Sequence, residues 1–295
     1  MKKKKIVKIT LIIVSLALVL GAITVAFVLN WHTLFIFAES KGLFCREIDL
    51  KQADIEKERD SFSLTTYEAL SSDERVTFNQ SMMLVNPEHT LPEDFEPKIS
   101  EYKDTTVYMN DCMISSYAVL SADISKRFNK KLYVSSDFRT ADEQQALYDE
   151  DPLTATLPGA SEHQTGLALD VYVAYYSGDG FVKSPVGRFV NRNSWKYGFI
   201  IRYPSHGEDI TGIRYEPWHI RYVGHPHADI IYNNHITLEE YIESFEVGCW
   251  YETDEYYICR MEILSDLKFA FPADFESCVI SPDNTGYAII TVKKQ

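Results

Sequence analysis

The chain reads as an α+β protein, and three observations predict it. Helix-period and strand-period stretches are mixed between residues 82 and 247, without the regular strand–helix–strand alternation of a doubly wound sheet. Hydrophobic residues make up 45% and charged residues 24% of the 295, a composition that suits a folded core. The segment 248–295 changes character and carries strand-like runs around a strong turn signal. The length allows one good-sized domain and some extra parts. Nineteen Tyr and sixteen Phe suit a buried aromatic core or the wall of a cleft.

Residues 1–8 form a basic tail with Lys2, Lys3, Lys4, Lys5 and Lys8. An uncharged run follows from Ile9 to Leu29, and its 21 residues match the ~20 that span a bilayer as a helix. No Lys or Arg follows until Lys41, so the positive-inside bias puts the N-terminus in the cytoplasm and the bulk of the chain outside. The expectation is a single-pass anchor at 9–29 with the lipid bilayer as its partner, flanked by Trp31, Phe35 and Phe37 as interfacial aromatics. A cleaved signal peptide is the rival, although its apolar region is usually shorter and no small-x-small site directly follows Leu29. Residues 30–81 read as a juxtamembrane stalk, because Ser40 to Leu64 is rich in charge with weak apolar periodicity. Thr65 to Leu70 suits one short helix within it.

The main domain is expected over 82–247. Leu84-Val85-Asn86-Pro87 and Leu91-Pro92-Glu93-Asp94-Phe95-Glu96-Pro97 read as extended chain draped over a surface, since prolines at this density oppose a helix. Asn110 and Asp111 can cap an amphipathic helix in which Met113, Tyr117, Leu120, Ile124 and Phe128 recur at helical spacing. Leu132 to Ser136 reads as a strand that delivers Asp137-Phe138-Arg139 to a loop, with a helix after it through Gln144, Ala146 and Leu147. Leu167 to Tyr175 is a second strand, with Leu167, Leu169 and Val171 on one face and Ala168, Asp170 and Tyr172 on the other. Val186 to Tyr197 fits a helix closed by Gly198. Phe199 to Tyr203 and Ile213 to Tyr222 fit two more strands, and Leu238 to Phe245 a last helix. The appendage 248–295 contributes Glu255 to Ile263 and Ser277 to Val292 around the turn Ser281-Pro282-Asp283-Asn284-Thr285-Gly286.

The net charge is −14, and from Glu39 onward 24 basic residues face 43 acidic ones, a balance of −19. Such a surface is repelled by nucleic acid, which is excluded as a partner. The five cysteines (Cys45, Cys112, Cys249, Cys259 and Cys278) show no metal-binding spacing. They fit either free buried thiols or one disulfide within the tail, where Cys249 and Cys259 flank a hairpin.

Two short segments carry the chemistry: Ser161-Glu162-His163-Gln164-Thr165-Gly166-Leu167-Ala168-Leu169-Asp170 and Glu216-Pro217-Trp218-His219. His163, Asp170 and His219 offer N, O and N donors for one metal ion, and Glu216 adds a carboxylate beside the last imidazole. A zinc hydrolase needs three protein ligands, an open position for water and a base for the water's proton. His163 by itself reads as an ordinary hydrogen-bonded histidine. Asp170 facing inward from an apolar strand is costly unless it is paired or bound to a metal. Pro217 opposes a helix, so Glu216 and His219 must converge through a bend in a strand. His206 reads as a loop histidine, and His225 and His227 flank Pro226 in a turn and are not assigned to the metal. Trp218 reads as a packing residue under the site.

These segments resemble the SxHxxGxAxD and ExxH motifs of the zinc D-alanyl-D-alanine carboxypeptidases of the VanY type, among the LAS-type metallopeptidases. Leu84-Val85-Asn86-Pro87 with Leu91-Pro92-Glu93-Asp94 is similar to that family's opening segment, and Ser136-Asp137-Phe138-Arg139 followed by Gln144 to its S-x-[YF]-R-x4-Q segment. Arg202-Tyr203-Pro204, Thr211-Gly212-Ile213 and Tyr215 to Gly224 match its last core strands. The resemblance covers about 82–247 and neither the expected stalk nor the tail. It departs at Asp137 and Thr140, where the family often has Gly or Ala and Ser; Asp137 sets a negative charge beside Arg139.

The resemblance implies a Hedgehog/D-Ala-D-Ala-peptidase-like mixed domain with an antiparallel sheet and one Zn2+ per chain on His163, Asp170 and His219. It implies Glu216 as general base and then acid, Arg139 as the group holding the substrate or its oxyanion, and Gln144 and Ser161 at the peptide's C-terminal end. The expected activity is removal of the terminal D-Ala from peptidoglycan stem pentapeptides or lipid-linked precursors, in glycopeptide resistance or wall maturation. L,D-carboxypeptidase action on tetrapeptide stems is the alternative within the family, and a non-catalytic wall-binding domain the alternative outside it.

Overall fold

The computed structural model describes residues 13–21, 24, 30–57, 59–262 and 268–295. The chain divides into two compact units, Met1–Leu43 and Phe44–Gln295. In the first, the helix Trp31–Ser40 buries only Phe35. Among the described residues no helix is long and apolar enough to cross a membrane. Residues 9–12, 22–23 and 25–29 of the expected anchor lie outside the described residues. The expectations of a transmembrane anchor at 9–29, of a bilayer partner and of a single-pass localisation with a cytoplasmic N-terminus are therefore not met. The basic tail 1–8 lies outside the described residues.

The second unit differs from the expected stalk, peptidase and appendage. Its strands in chain order are β1 (Lys51–Gln52), β2 (Phe62–Thr65), β3 (Val76–Phe78), β4 (Ile99–Glu101), β5 (Tyr108–Asn110), β6 (Tyr133–Ser136), β7 (Ala168–Tyr172), β8 (Phe199–Ile201), β9 (His219–Tyr222), β10 (Trp250–Glu252), β11 (Tyr256–Met261), β12 (Phe269–Pro272), β13 (Ser277–Pro282) and β14 (Ala288–Lys293). β1, β2 and β3 come from the segment expected as a stalk. They join the C-terminal strands: the six-stranded sheet runs β1-β10-β11-β14-β13-β3, and β2 pairs with β12. Segments about 200 residues apart thus share one core, in which Trp250, Phe271, Phe275, Ile280 and Ile290 are buried with Leu70.

The sheet that carries the chemistry is four-stranded and antiparallel, in the order β6-β7-β9-β8. Alternation on β7 sends Leu169 and Val171 to one face and Asp170 to the other. The apolar face is covered by the helix Ile114–Phe128, which contributes Tyr117, Leu120 and Ile124, and by Val186 and Val190 of the helix Pro185–Asn193. Each such side chain contributes about 1.5–3 kcal/mol by leaving water. Lys126 and Arg127 sit in the last turn of the first helix, where cations complement its dipole, and Asn129 closes it in the left-handed region. The opposite face is split. One end is packed by Met82, Leu84 and the helix Leu238–Glu243. The other end is polar and holds the site.

Cys249, Cys259 and Cys278 are free thiols, so no disulfide forms in the tail. Cys259 and Cys278 are buried in the core of the six-stranded sheet, and burial pushes both thiols up to about 12.

Candidate metal centre

Three elements bring the expected ligands together. Asp170 on β7 and His219 at the start of β9 are direct cross-strand partners on one face. That register alone puts two donors within reach of one ion. The turn before β9 is closed by His219 N–H donating to the Glu216 carbonyl at 3.1 Å, with Pro217 and Trp218 between them. The expected bend is present, and it turns Glu216 back over the imidazole. The strand expected from Ile213 begins only at His219, because Glu208–Thr211 is a short helix and 213–218 is irregular.

His163 arrives on the single turn Glu162–Thr165, which ends at Gly166 in the left-handed region at φ 66°. A Cβ there would lie 2.3 Å from Ile99 Cδ1 and 3.0 Å from the Asn110 nitrogen, so only glycine closes this turn. Arg139 N–H donates to the His163 carbonyl at 3.1 Å and ties the turn to the segment after β6. A register shift between Val134 and Ser136 sets Ser136 opposite Asp170. Thr140 and Glu143 then form a capping box that starts the helix Ala141–Glu150 immediately after Arg139.

One ligand atom each from His163, Asp170 and His219 lie within 4.8 Å of one another. His219 Nδ1 is 3.1 Å from Asp170 Oδ1, and His163 Nε2 is 3.7 Å from Asp170 Oδ2. Donors on a tetrahedral ion with bonds of ~2.1 Å are about 3.4 Å apart, so the observed distances bracket the spacing zinc requires. Asp170 Oδ1 is also a buried side-chain atom that lacks a hydrogen-bond partner. Two imidazoles and a carboxylate suit zinc in chemistry as well as in spacing.

The surroundings tune these groups. Burial holds the His163 imidazole down to about 4, outweighing the attraction of Asp170, so the ring is neutral and free to ligate. Burial opposes a charge on His219 too, but Asp170 and Glu162 outweigh it and raise that ring to about 9. A metal ion therefore enters in place of a proton. Glu216 is half-buried with Oε2 3.8 Å from His219 Nδ1; burial and the neighbouring Asp170 carboxylate raise it above the usual carboxylate range. Tyr203 lies buried against the His219 ring, centroid to centroid 5.0 Å.

Arg139 does not form the surface ion pair that Asp137 or Asp142 would offer. Its Nη1 donates to Gln144 Oε1 and its Nη2 to Ser136 Oγ, both at 2.7 Å. It lies between two clefts. One, of ≈ 440 Å³, is lined by Leu91, Pro92, Phe95, Pro158 and Gln164; the other, of ≈ 410 Å³, by Ser135, Asp137, Leu147 and Glu150. Gln144 is buried, and its amide also donates to the Thr156 carbonyl at 2.6 Å. Its polar atoms are thus engaged in bracing Arg139. Ser161 is buried beside the His163 turn and makes no cap bond. His206 stacks on His235 at 3.6 Å, and His227 is held between Tyr241 Oη and Thr291 Oγ1, so neither belongs to the centre.

Sequence reasoning missed Glu162, Arg202, Arg221 and Glu239. All four are buried and form one network: Glu162 Oε1 accepts from Arg202 Nε at 2.7 Å and Arg221 Nη1 at 2.5 Å, and Arg202 also grips Glu239. Burial works against the Glu162 charge, but Arg221 and Arg202 prevail and hold it well below the usual range. The signal was present: two arginines inside strand patterns need buried carboxylates.

Fold and site together define a metal-dependent peptidase of mixed α+β architecture. The VanY family model, described as D-alanyl-D-alanine carboxypeptidase, matches residues 107–225. A D-alanyl-D-alanine carboxypeptidase of Enterococcus faecium is 40% identical over 144 residues, which are 48% of this chain and 46% of that protein; the match spans about half of that relative. The bifunctional D-Ala-D-Ala dipeptidase and carboxypeptidase VanXYC of Enterococcus gallinarum is 34% identical over 178 residues, 55% of this chain and 93% of that protein. Among solved structures, the D,D-dipeptidase VanXYg bound to a D-Ala-D-Ala phosphinate analogue matches with TM-score 0.62 and 25% identity, over 79% of this chain and 98% of that one. The L,D-carboxypeptidase LdcB matches with TM-score 0.51 and 34% identity, over 55% of this chain and 86% of that one. The chain belongs to the VanY family of D-alanyl-D-alanine carboxypeptidases, and zinc is its metal.

Proposed function

We propose that this chain is a D,D-carboxypeptidase that removes the C-terminal D-Ala from peptidoglycan stem pentapeptides or their lipid-linked precursors. The observation that carries the reading is the convergence of His163, Asp170 and His219 with Glu216 at their open side, in a chain of this family. His163, Asp170 and His219 would hold the ion. Zinc, when bound, supplies Lewis acidity that brings a water molecule's pKa from 15.7 towards ~7.

Glu216 takes the proton from the attacking water and returns it to the departing amine of D-Ala. Its raised affinity for a proton suits both halves of that task. Arg139, half-buried and braced by Gln144 and Ser136, offers a fixed cation to the oxyanion or to the terminal carboxylate. Ser161, buried just before the His163 turn, is assigned to the peptide's terminus on the family resemblance. Gln144 acts on that terminus through Arg139. Trimming pentapeptides in this way would remove the D-Ala-D-Ala ends that glycopeptides bind, which gives such an enzyme a part in resistance.

The likeness to LdcB favours a second reading, L,D-cleavage of tetrapeptides by the same residues. Mass spectrometry of products from defined pentapeptide and tetrapeptide stems, with and without a chelator, separates the two. Loss of D-Ala from the pentapeptide, abolished by the chelator, is the expected result. Loss of D-Ala from the tetrapeptide alone would replace the assignment with the L,D one. Binding of both without cleavage would make the chain a wall-binding module.

A further inference from the structure

We propose that Glu162 is a positioning residue of the metal centre. Its Oε2 accepts the Nε2–H of His219 and thereby commits Nδ1 of that ring to the metal. The inference rests on the zinc reading of the site and not on the choice of peptide.

Glu162 Oε1 is saturated by Arg202 and Arg221. Oε2 is buried and has no hydrogen-bond partner, and neither has His219 Nε2. These two orphaned atoms face each other at 3.5 Å. Leaving a buried polar atom unpaired costs about 1–3 kcal/mol, so the arrangement demands a proton between them. The other nitrogen of the ring, Nδ1, faces Asp170 Oδ1 and Glu216 Oε2 on the open side. A neutral imidazole carries one N–H. With the proton on Nε2, Glu162 is satisfied and the Nδ1 lone pair points at the ion. With the proton on Nδ1, a ring lone pair would face a carboxylate oxygen and the metal would lose its donor.

His163 is held by the same logic with its nitrogens exchanged. Its Nδ1 lies 2.8 Å from the Asp137 carbonyl, which can only accept, so Nε2 is its ligand atom. One histidine is thus set by a neutral carbonyl and the other by an anion. An anionic partner also raises the basicity of the ring as a ligand.

Glu162 is itself immobilised by two arginines. Arg202 joins it to Glu239 of the helix Leu238–Glu243. Arg221, two residues beyond His219 on the same face of β9, donates to the backbone carbonyls of Ser81 and Met83. The ring orientation at the metal is therefore anchored to the packed end of the sheet.

The test compares Glu162→Gln with Glu239→Gln. Each takes one carboxylate from Arg202, but only the first alters the partner of His219. Zinc affinity is measured by competition with a chromophoric chelator. Glu162→Gln is expected to bind zinc about 10–100-fold more weakly, and Glu239→Gln within about threefold of the unmodified chain. Equal losses in both, or an unchanged affinity in Glu162→Gln, overturn the proposal. If Glu162→Gln does not fold, 15N NMR of the zinc-loaded native chain decides: a protonated Nε2 and a metallated Nδ1 on His219 are expected, and zinc on Nε2 overturns it. Neither readout uses a substrate, so a failure of the D,D-carboxypeptidase reading leaves this one testable on its own.

Discussion

The four-stranded sheet β6-β7-β9-β8 and the six-stranded sheet β1-β10-β11-β14-β13-β3 are built from similar short strands, yet they treat buried polar atoms in opposite ways. In the first, Asp170 Oδ1 is buried without a hydrogen-bond partner at the mouth of the metal centre. In the second, the fully buried Asp283 is answered by Arg260 Nε at 2.7 Å and by the Thr285 and Tyr287 backbone N–H groups at 2.8 and 3.2 Å. Native interiors satisfy nearly all such groups, so unanswered ones mark a place kept for something else. The difference teaches which sheet works and which one supports.

The largest effect is expected from Asp170→Ala, which removes the carboxylate that faces both histidines. Stoichiometric zinc and hydrolysis should both disappear, and elemental analysis with product mass spectrometry reads both. Full zinc content in this variant would dissolve the contrast at its source.

Glu216→Gln should keep the metal and lose about 10²–10⁴-fold in kcat, since it deletes the proton acceptor alone. Retention of full turnover would show that another group carries the proton. Arg139→Lys should lower kcat by about 10²–10³-fold, because a lysine cannot hold both Gln144 and Ser136 while facing a substrate. Steady-state kinetics check both.

On the supporting side, Trp250→Ala removes a buried ring that packs against Phe62, Tyr257 and Phe271. It should cost about 3–5 kcal/mol in urea unfolding while the folded protein keeps its zinc affinity. A loss of zinc affinity of similar size would mean that the two sheets are not separable in this way. The smallest effect belongs to Thr140→Ala. Removing this cap should cost about 1 kcal/mol, read as a modest fall in Tm, with a small decrease in kcat because Arg139 directly precedes it.

The candidate donors His163, Asp170 and His219 were legible because their residue types and spacing are chemically restrictive: an inward carboxylate on an apolar strand and two imidazoles have few other uses. The helix Ile114–Phe128 was legible from its apolar spacing. β1, β2 and β3 were not. They are two to four residues long and largely exposed, too short for a period-two pattern to separate them from a charged linker. Gln144 read as a peptide-binding group, and its engagement with Arg139 and Thr156 depends on how a helix and a distant loop meet. Glu162 received no role from the sequence, because its two arginines lie 40 and 59 positions further along the chain.

The amino-acid sequence by itself determined the donor types, the helix faces and caps, and the glycine that lets the His163 turn close. These are local, set by side-chain chemistry and by backbone sterics over a few residues. Tertiary structure alone decided that Asp170 stands opposite His219, that Glu162 faces the outer nitrogen of that ring, and that residues 51–78 complete a sheet begun beyond residue 250. Strand register and long-range pairing depend on which buried surfaces fit together, and no short stretch of chain carries that information.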